Sequence, residues 1–263
     1  MNRKITILLI IALLSVSTSP IVGRALTGVG AISISFWRMF IAAIFLWIFS
    51  LVKPQGKIKV KSNINRTIYA GILLGIHFAL FFEAVKITKI ANATFLGTLA
   101  PFFTLLVDFF ILKRQYDSKV LLGLFFTFIG SIIILGYQFD LESKYTIGNL
   151  YAILCSISIA MALMIGEKVR ESENTIVYTR GLYLSASITL LIISFFSNEN
   201  LINHNFNEYL GLVFLGLVPT ILGHNSIYYA IRYVSPTIVA AFPLGEPIIA
   251  TIFAYFIFSE VIT

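Results

Sequence analysis

The chain has 263 residues, of which 58% are hydrophobic and 12% charged, with a formal net charge of +7. Soluble domains run at roughly 45–50% apolar and about 25% charged, so this composition excludes an ordinary soluble domain and points to an integral membrane protein. The basic excess has the look of a nucleic-acid signal, but the lysines and arginines sit in short loops between apolar runs; topology accounts for them, and no nucleic-acid partner is expected.

The apolar residues come in runs of about 20, the length a helix needs to cross the hydrocarbon core. Nine spans are predicted, at 5–23, 31–52, 67–85, 91–111, 120–139, 149–166, 176–196, 209–231 and 237–258. In the first, Arg3 and Lys4 precede an apolar stretch ending in Ser15–Ser19, a pattern shared with signal peptides. The second carries Arg38 beside Trp37, either a clamp for a substrate carboxylate or a side chain reaching to the membrane interface. The third holds His77 with Phe81 one turn on, and Gly71 and Gly75 mark a close helix-packing face. Along the fourth, Thr94, Thr98, Pro101, Leu105 and Asp108 form one stripe, either the lining of a path or threonines bonding back to their own helix. Asp108 lies near the span end, within reach of Lys113 or Arg114. Cys155 is the chain's one cysteine, which excludes an internal disulfide and a thiolate metal cluster. Glu83 and Arg180 lie near span ends and read as interfacial. In the eighth, His224 and Tyr228 are four apart and share a face, with Asn225 adjacent; the expectation is a cavity wall, the alternative helix–helix hydrogen bonding. In the ninth, Glu246 sits near the midplane before Pro247, which removes a backbone donor and breaks or bends the helix. A carboxylate there suits a substrate ammonium or a proton; alternatively it bonds freed backbone amides.

The chain also contains itself twice. At a shift of 146, Ala84-Val85-Lys86 falls on Ala230-Ile231-Arg232, Pro101 on Pro247, Phe110 on Phe256 and Leu112 on Phe258. The halves are 1–139 and 140–263, and the duplication makes the first segment a retained span. Threading the spans from a cytoplasmic N-terminus puts thirteen Lys and Arg residues in inside loops and four in outside loops. Five spans in the first half make the second half start from the opposite side, so the repeats are inverted, and Arg114 has Glu260 as its counterpart across the membrane. A counterpart of the fifth span would begin near position 266, past Thr263, so a tenth helix is missing from this sequence or from the protein. The expected fold is an all-α integral membrane protein of two inverted repeats of about five helices.

The run Tyr228-Tyr229-Ala230-Ile231-Arg232-Tyr233-Val234-Ser235-Pro236, then Gly245-Glu246-Pro247, then Phe258-Ser259-Glu260, resembles the second repeat of the EamA-type transporters of the drug/metabolite transporter superfamily. Arg38-Met39-Phe40-Ile41-Ala42-Ala43, the corner from Ala84 to Thr88, and Pro101 form a weaker first copy. The resemblance implies a ten-helix inverted-repeat carrier of small organic solutes, commonly an exporter of amino acids or related metabolites. Lys113-Arg114 departs from the acidic residue usual at the end of span four, and Ala100 stands where the second half has Glu246.

The expected function is therefore a secondary transporter in the plasma membrane, with Glu246, His224, Asn225, Tyr228, His77, Phe81, Thr98 and Arg38 as substrate-binding candidates. Glu246, His224, His77 and Asp108 are the proton-coupling candidates, and Pro101 and Pro247 the helix breaks. No Walker loop, nucleophile elbow or His-Glu-x-x-His motif is present, so no enzyme is expected, and transport would be passive or ion-coupled. No cofactor is implied, and the two histidines lack a third ligand at helical spacing for a metal. A multidrug or lipid-linked-sugar carrier, or a membrane-embedded accessory subunit or enzyme, are the alternatives; a homodimer stays open.

Overall fold

A computed structural model describes residues 3–136 and 144–259; Glu260 and the end of the span predicted at 120–139 lie outside them. Every regular element among the described residues is helical. In chain order these are α1 (Arg3–Val16), α2 (Ser19–Ala25), α3 (Ala31–Val52), α4 (Ser62–Ile87), α5 (Ile90–Gly97), α6 (Ala100–Phe110), α7 (Ser118–Gly136), α8 (Lys144–Arg170), α9 (Thr175–Ser197), α10 (Phe206–Leu215), a π-helical stretch Gly216–His224, α11 (Asn225–Ala230), α12 (Pro236–Ala241), a 3₁₀ turn Phe242–Gly245, and α13 (Glu246–Phe258). They assemble into eight rods long and apolar enough to cross a membrane, besides α7.

Contacts between loops define two faces. On one, which collects most of the basic residues, Lys4 Nζ lies 3.4 Å from Tyr229 Oη and Arg114 donates to Glu167 at 2.7 Å. On that face too, the Lys59 and Val60 amides donate to the Glu173 carboxylate at 3.0 Å. On the opposite face Lys86 donates to Leu26 O at 3.0 Å, Thr88 to Asn149 at 3.0 Å, and Ser33 Oγ meets His204 Nε2 at 2.9 Å. There the Glu199 carboxylate accepts from Ile32 N and Ser33 N and so caps the start of α3. The rods therefore alternate in direction: α1 starts from the basic face, whereas α8 starts from the other.

Four rods run unbroken, and they form the scaffold: α4 packs along α8 and α9, and α3 along α9. Small residues let them approach. A Cβ on Gly71 would stand 2.4 Å from Ser185 Cβ and 2.7 Å from Leu182 O. Leu74, Phe78 and Phe82 of α4 are buried with Cys155 of α8 and Leu182 of α9. The outer surface is apolar as well, with Phe196 85% and Phe256 77% exposed, as a lipid-facing belt requires.

Candidate functional site

The other four rods are each broken near mid-depth, and the local sequence explains each break. In the first, Ser17 Oγ and Thr18 Oγ1 donate back to Leu13 O and Ser15 O at 2.7 Å, and Pro20 opens α2. In the fourth, Thr98 separates α5 from α6; its hydroxyl donates to Phe95 O at 3.0 Å, and Pro101 sits in the first turn of α6. In the rod Phe206–Ala230, Pro219 lies inside the π stretch, and Thr220 Oγ1 donates to Leu215 O, five residues back, at 2.9 Å. In the last, Pro243 lies in the 3₁₀ turn and Pro247 in the first turn of α13, where its missing N–H removes no helix bond. The break thus precedes Glu246, which opens α13.

The breaks converge on one cavity. Val16 and Ser19 line it from the first break, Thr98 and Ala100 from the second, His224 from the third, and Pro243 and Glu246 from the fourth. The unbroken rods add Arg38, His77, Phe78, Phe81 and Leu163. Its free space is about 60 Å³, counted as positions open to the centre of a water molecule. A water needs about 10–15 Å³ on that measure, so there is room for a few waters, and a larger solute requires the broken rods to part.

Six of the sequence-predicted residues meet here: Arg38, His77, Phe81, Thr98, His224 and Glu246. Arg38 is 1% exposed, and its head lies in the cavity wall rather than at the interface. Nε donates to Thr220 Oγ1 at 2.8 Å and one amino nitrogen to Ser19 Oγ at 2.5 Å, while the other has no partner among the described residues. The guanidinium lies 4.1 Å from the centroid of the Phe78 ring. Its neighbour Trp37 turns the other way and donates to Leu201 O at 2.6 Å. Glu246 is 6% exposed. Among the described residues no ion pair is recorded for it within 4.0 Å, and Arg38 is the charge that acts on it. An arginine and a glutamate thus line the same small, largely apolar space. His77 Nδ1 lies 2.9 Å from Cys155 O, and its ring is 6.5 Å from that of His224, whose own Nδ1 has no partner. Among the described residues no cluster of three or more His, Cys, Asp or Glu accompanies them.

Three candidates stand elsewhere. Asn225 accepts from Thr179 Oγ1 at 2.8 Å and lines a different recess, on the basic face. The cavity takes Ile227, three residues after His224, in place of Tyr228 at four. Tyr228 is fully buried against Tyr178, with rings 5.5 Å apart and edge-on, and the hydroxyls of Tyr178, Tyr183 and Tyr228 have no partners among the described residues. Asp108 is fully buried toward the basic face, 3.2 Å from Arg114. It also accepts from Tyr116 and, at 2.7 Å, from Thr237 of α12. Arg114 reaches on to Glu167 of α8, so this network ties α6 and α12 to the scaffold. Pro101 and Pro247 flank the cavity without lining it.

Sequence reasoning missed Ser19 and Thr220, which hold Arg38, and Pro219, which makes the third break. Pro219 had a readable signal, a proline inside an apolar run five residues before a histidine. The hydroxyl partners had none, because nothing local marks a contact across 182 positions.

Comparison with known proteins agrees with this architecture. Residues 3–136 and 146–263 match the EamA-like transporter family, and the chain belongs to that family. It is a multi-pass membrane transporter of the drug/metabolite type. The protein is 26% identical over 199 residues to YyaM of Bacillus subtilis, an uncharacterized transporter, an alignment spanning 72% of this chain and 64% of that protein. It is 22% identical to the pseudopaline exporter CntI of Pseudomonas aeruginosa, covering 84% of this chain and 76% of the relative. It is 25% identical to an S-adenosylmethionine uptake transporter of Rickettsia felis, covering 95% and 83%. Among the solved structures that match is a crystal structure with a TM-score of 0.77 at 16% identity, over 100% of this chain and 91% of that one, a likeness of fold.

Proposed function

We propose that this member of the EamA-like family carries a small zwitterionic metabolite of the amino-acid type out of the cell, by alternating access about the central cavity between inverted halves 1–139 and 140–263. The observation that carries the reading is the pairing of Arg38 and Glu246 in one buried cavity. Arg38 has an amino nitrogen free for a substrate carboxylate. Among the described residues Glu246 has no ion pair, and it is the partner for an ammonium group or, with none bound, for a proton. The aromatic faces of Phe78 and Phe81 suit an apolar side chain. The related S-adenosylmethionine carrier fits this reading in that its solute bears an α-amino-acid group. Relatives named as exporter and as uptake transporter stand on both sides of the question of direction; export is what the resemblance implies. The N-terminus is placed in the cytoplasm and the membrane is taken as the plasma membrane, because the basic face then lies inside.

The test is flux of a panel of labelled amino acids in proteoliposomes, with and without a pH gradient. Saturable flux that amino acids compete for, and that neither the free carboxylic acid nor the free amine of the same side chain replaces, supports the zwitterion reading. Equal flux of the decarboxylated amine would refute the role given to Arg38.

A further inference from the structure

A second recess, of about 520 Å³, opens on the basic face, where the corner between α11 and α12 approaches the start of α9. Lys59, Arg170 and Arg232 line it, with Asn174, Thr175 and Tyr229. No carboxylate lines it among the described residues. Glu173 lies close in sequence, but its oxygens accept from the Lys59 and Val60 amides and from Asn63 Nδ2 and do not line the recess. Arg170 is 1% exposed; Nε donates to Tyr228 O at 3.0 Å and Nη1 to Glu173 O, and among the described residues the other nitrogen has no recorded partner. The Arg232 charge repels that of Arg170, and no ion pair within 4.0 Å is recorded for either. Among the described residues Arg170 and Arg232 thus gather with no ion pair, and Lys59 joins them with its charge acting on Glu173, which stands outside the recess. α9, 23 residues long, also begins here, so the partial positive end of its backbone dipole adds to the field.

We propose that this recess is a binding site for a phosphate-bearing anion, held by Arg170, Arg232 and Lys59 over the start of α9. Tyr229 supplies a hydroxyl beside the charges. Guanidinium groups match phosphate oxygens in pairs, and a buried arginine with a spare nitrogen is already oriented for one. Arg170 belongs to the unbroken α8, whereas Arg232 lies in the corner joining two broken rods. An anion bridging them fixes that corner to the scaffold and ties the rods' position to occupancy of the site.

The phosphate has two sources, the headgroup of an anionic phospholipid or phosphate in solution. The test is native mass spectrometry of the delipidated full chain in detergent, titrated with phosphatidylglycerol, phosphatidylcholine or inorganic phosphate. Wild type is compared with the double variant Lys59→Gln/Arg232→Gln and with Arg232→Lys. Both positions are exposed, so the variants fold, and thermal melting checks this. Phosphatidylglycerol binds the wild type more tightly than phosphatidylcholine, and the double variant loses about tenfold or more of that affinity, by the loss of charge-assisted contacts. Arg232→Lys keeps most of it. Persistence of the bound lipid in excess inorganic phosphate assigns the site to a headgroup; displacement by it assigns the site to soluble phosphate. Equal binding of phosphatidylcholine, or undiminished phosphatidylglycerol binding in the double variant, overturns the proposal.

Discussion

The unbroken rods α3, α4, α8 and α9 and the broken ones use the same apolar alphabet to opposite ends. In the unbroken set, glycine and alanine bring backbones together, and polar side chains bond back to their own helix, as Thr67 does to Asn63 O at 2.7 Å. In the broken set, prolines and hydroxyl residues take the ladder apart at mid-depth, where lipid offers no replacement partners. Every such break faces the cavity. The difference teaches that discontinuity here is confined to where the protein itself, or a solute, completes the backbone's needs. Charge follows the same division. Arg38, on an unbroken rod, is held by Ser19 and Thr220 beside two of the breaks, whereas Glu246 stands at a break with no such support among the described residues.

The comparison is broken or sharpened by variants that trade one kind of region for the other. The largest effect is expected at Glu246→Gln: proteoliposome flux falls about a hundredfold, the equivalent of roughly 2.7 kcal/mol, with melting temperature unchanged. Flux at the wild-type level would remove Glu246 from the site. In the scaffold, Gly71→Ala forces a Cβ against Leu182 O and lowers stability by about 1–3 kcal/mol in thermal melts, while flux per folded molecule stays the same. Pro219→Ala restores a backbone donor inside a helix and raises stability by roughly 1–3 kcal/mol while slowing flux, since the π stretch straightens. If flux rises with stability instead, the breaks are not devices of transport.

Two smaller effects concern the edges of the site. Burial raises the Glu173 carboxyl, but the amides of Lys59 and Val60, Asn63 and the Lys59 charge lower it more, so it ends below its ordinary value of about 4.5. The stability it contributes is therefore complete above about pH 4.5 and is lost as pH falls through the lower folded-state value. The protection of the Lys59 and Val60 amides against hydrogen exchange, corrected for the intrinsic pH dependence of exchange, should fall below that point and stay flat above it. Smallest of all, Tyr228→Phe removes a hydroxyl without a protein partner and should move the melting temperature hardly at all. A fall in flux at constant stability would then assign the hydroxyl to the transport path.

Much of this was readable beforehand. Proline is a local signal, so the break beside Pro101 follows from the chain alone, whereas the one expected at Pro247 falls ahead of Glu246, in the turn that holds Pro243. The inward positions of His77, His224 and Glu246 follow from the cost of placing ionisable groups against lipid, whereas Arg38 stayed open between the cavity and the interface. What escaped was relational. A shared helix face includes both the third and fourth residue after His224, and only packing decides that Ile227 meets the cavity while Tyr228 meets Tyr178. Asp108 was readable as a partner of Arg114, but not as the link to Thr237 across 129 positions.

One feature of the scaffold carries a practical consequence. Cys155, the only cysteine in the sequence, is fully buried; its carbonyl meets His77, and its sulfur would stand 3.4 Å from a Cβ on Gly97, beside the break between α5 and α6. The native protein therefore carries its own clock. Alkylation of that thiol by a small maleimide can proceed only while α5 stands away from α8, so its rate times the parting of the cavity wall in an unmutated chain. Added solute should visibly slow or hasten it.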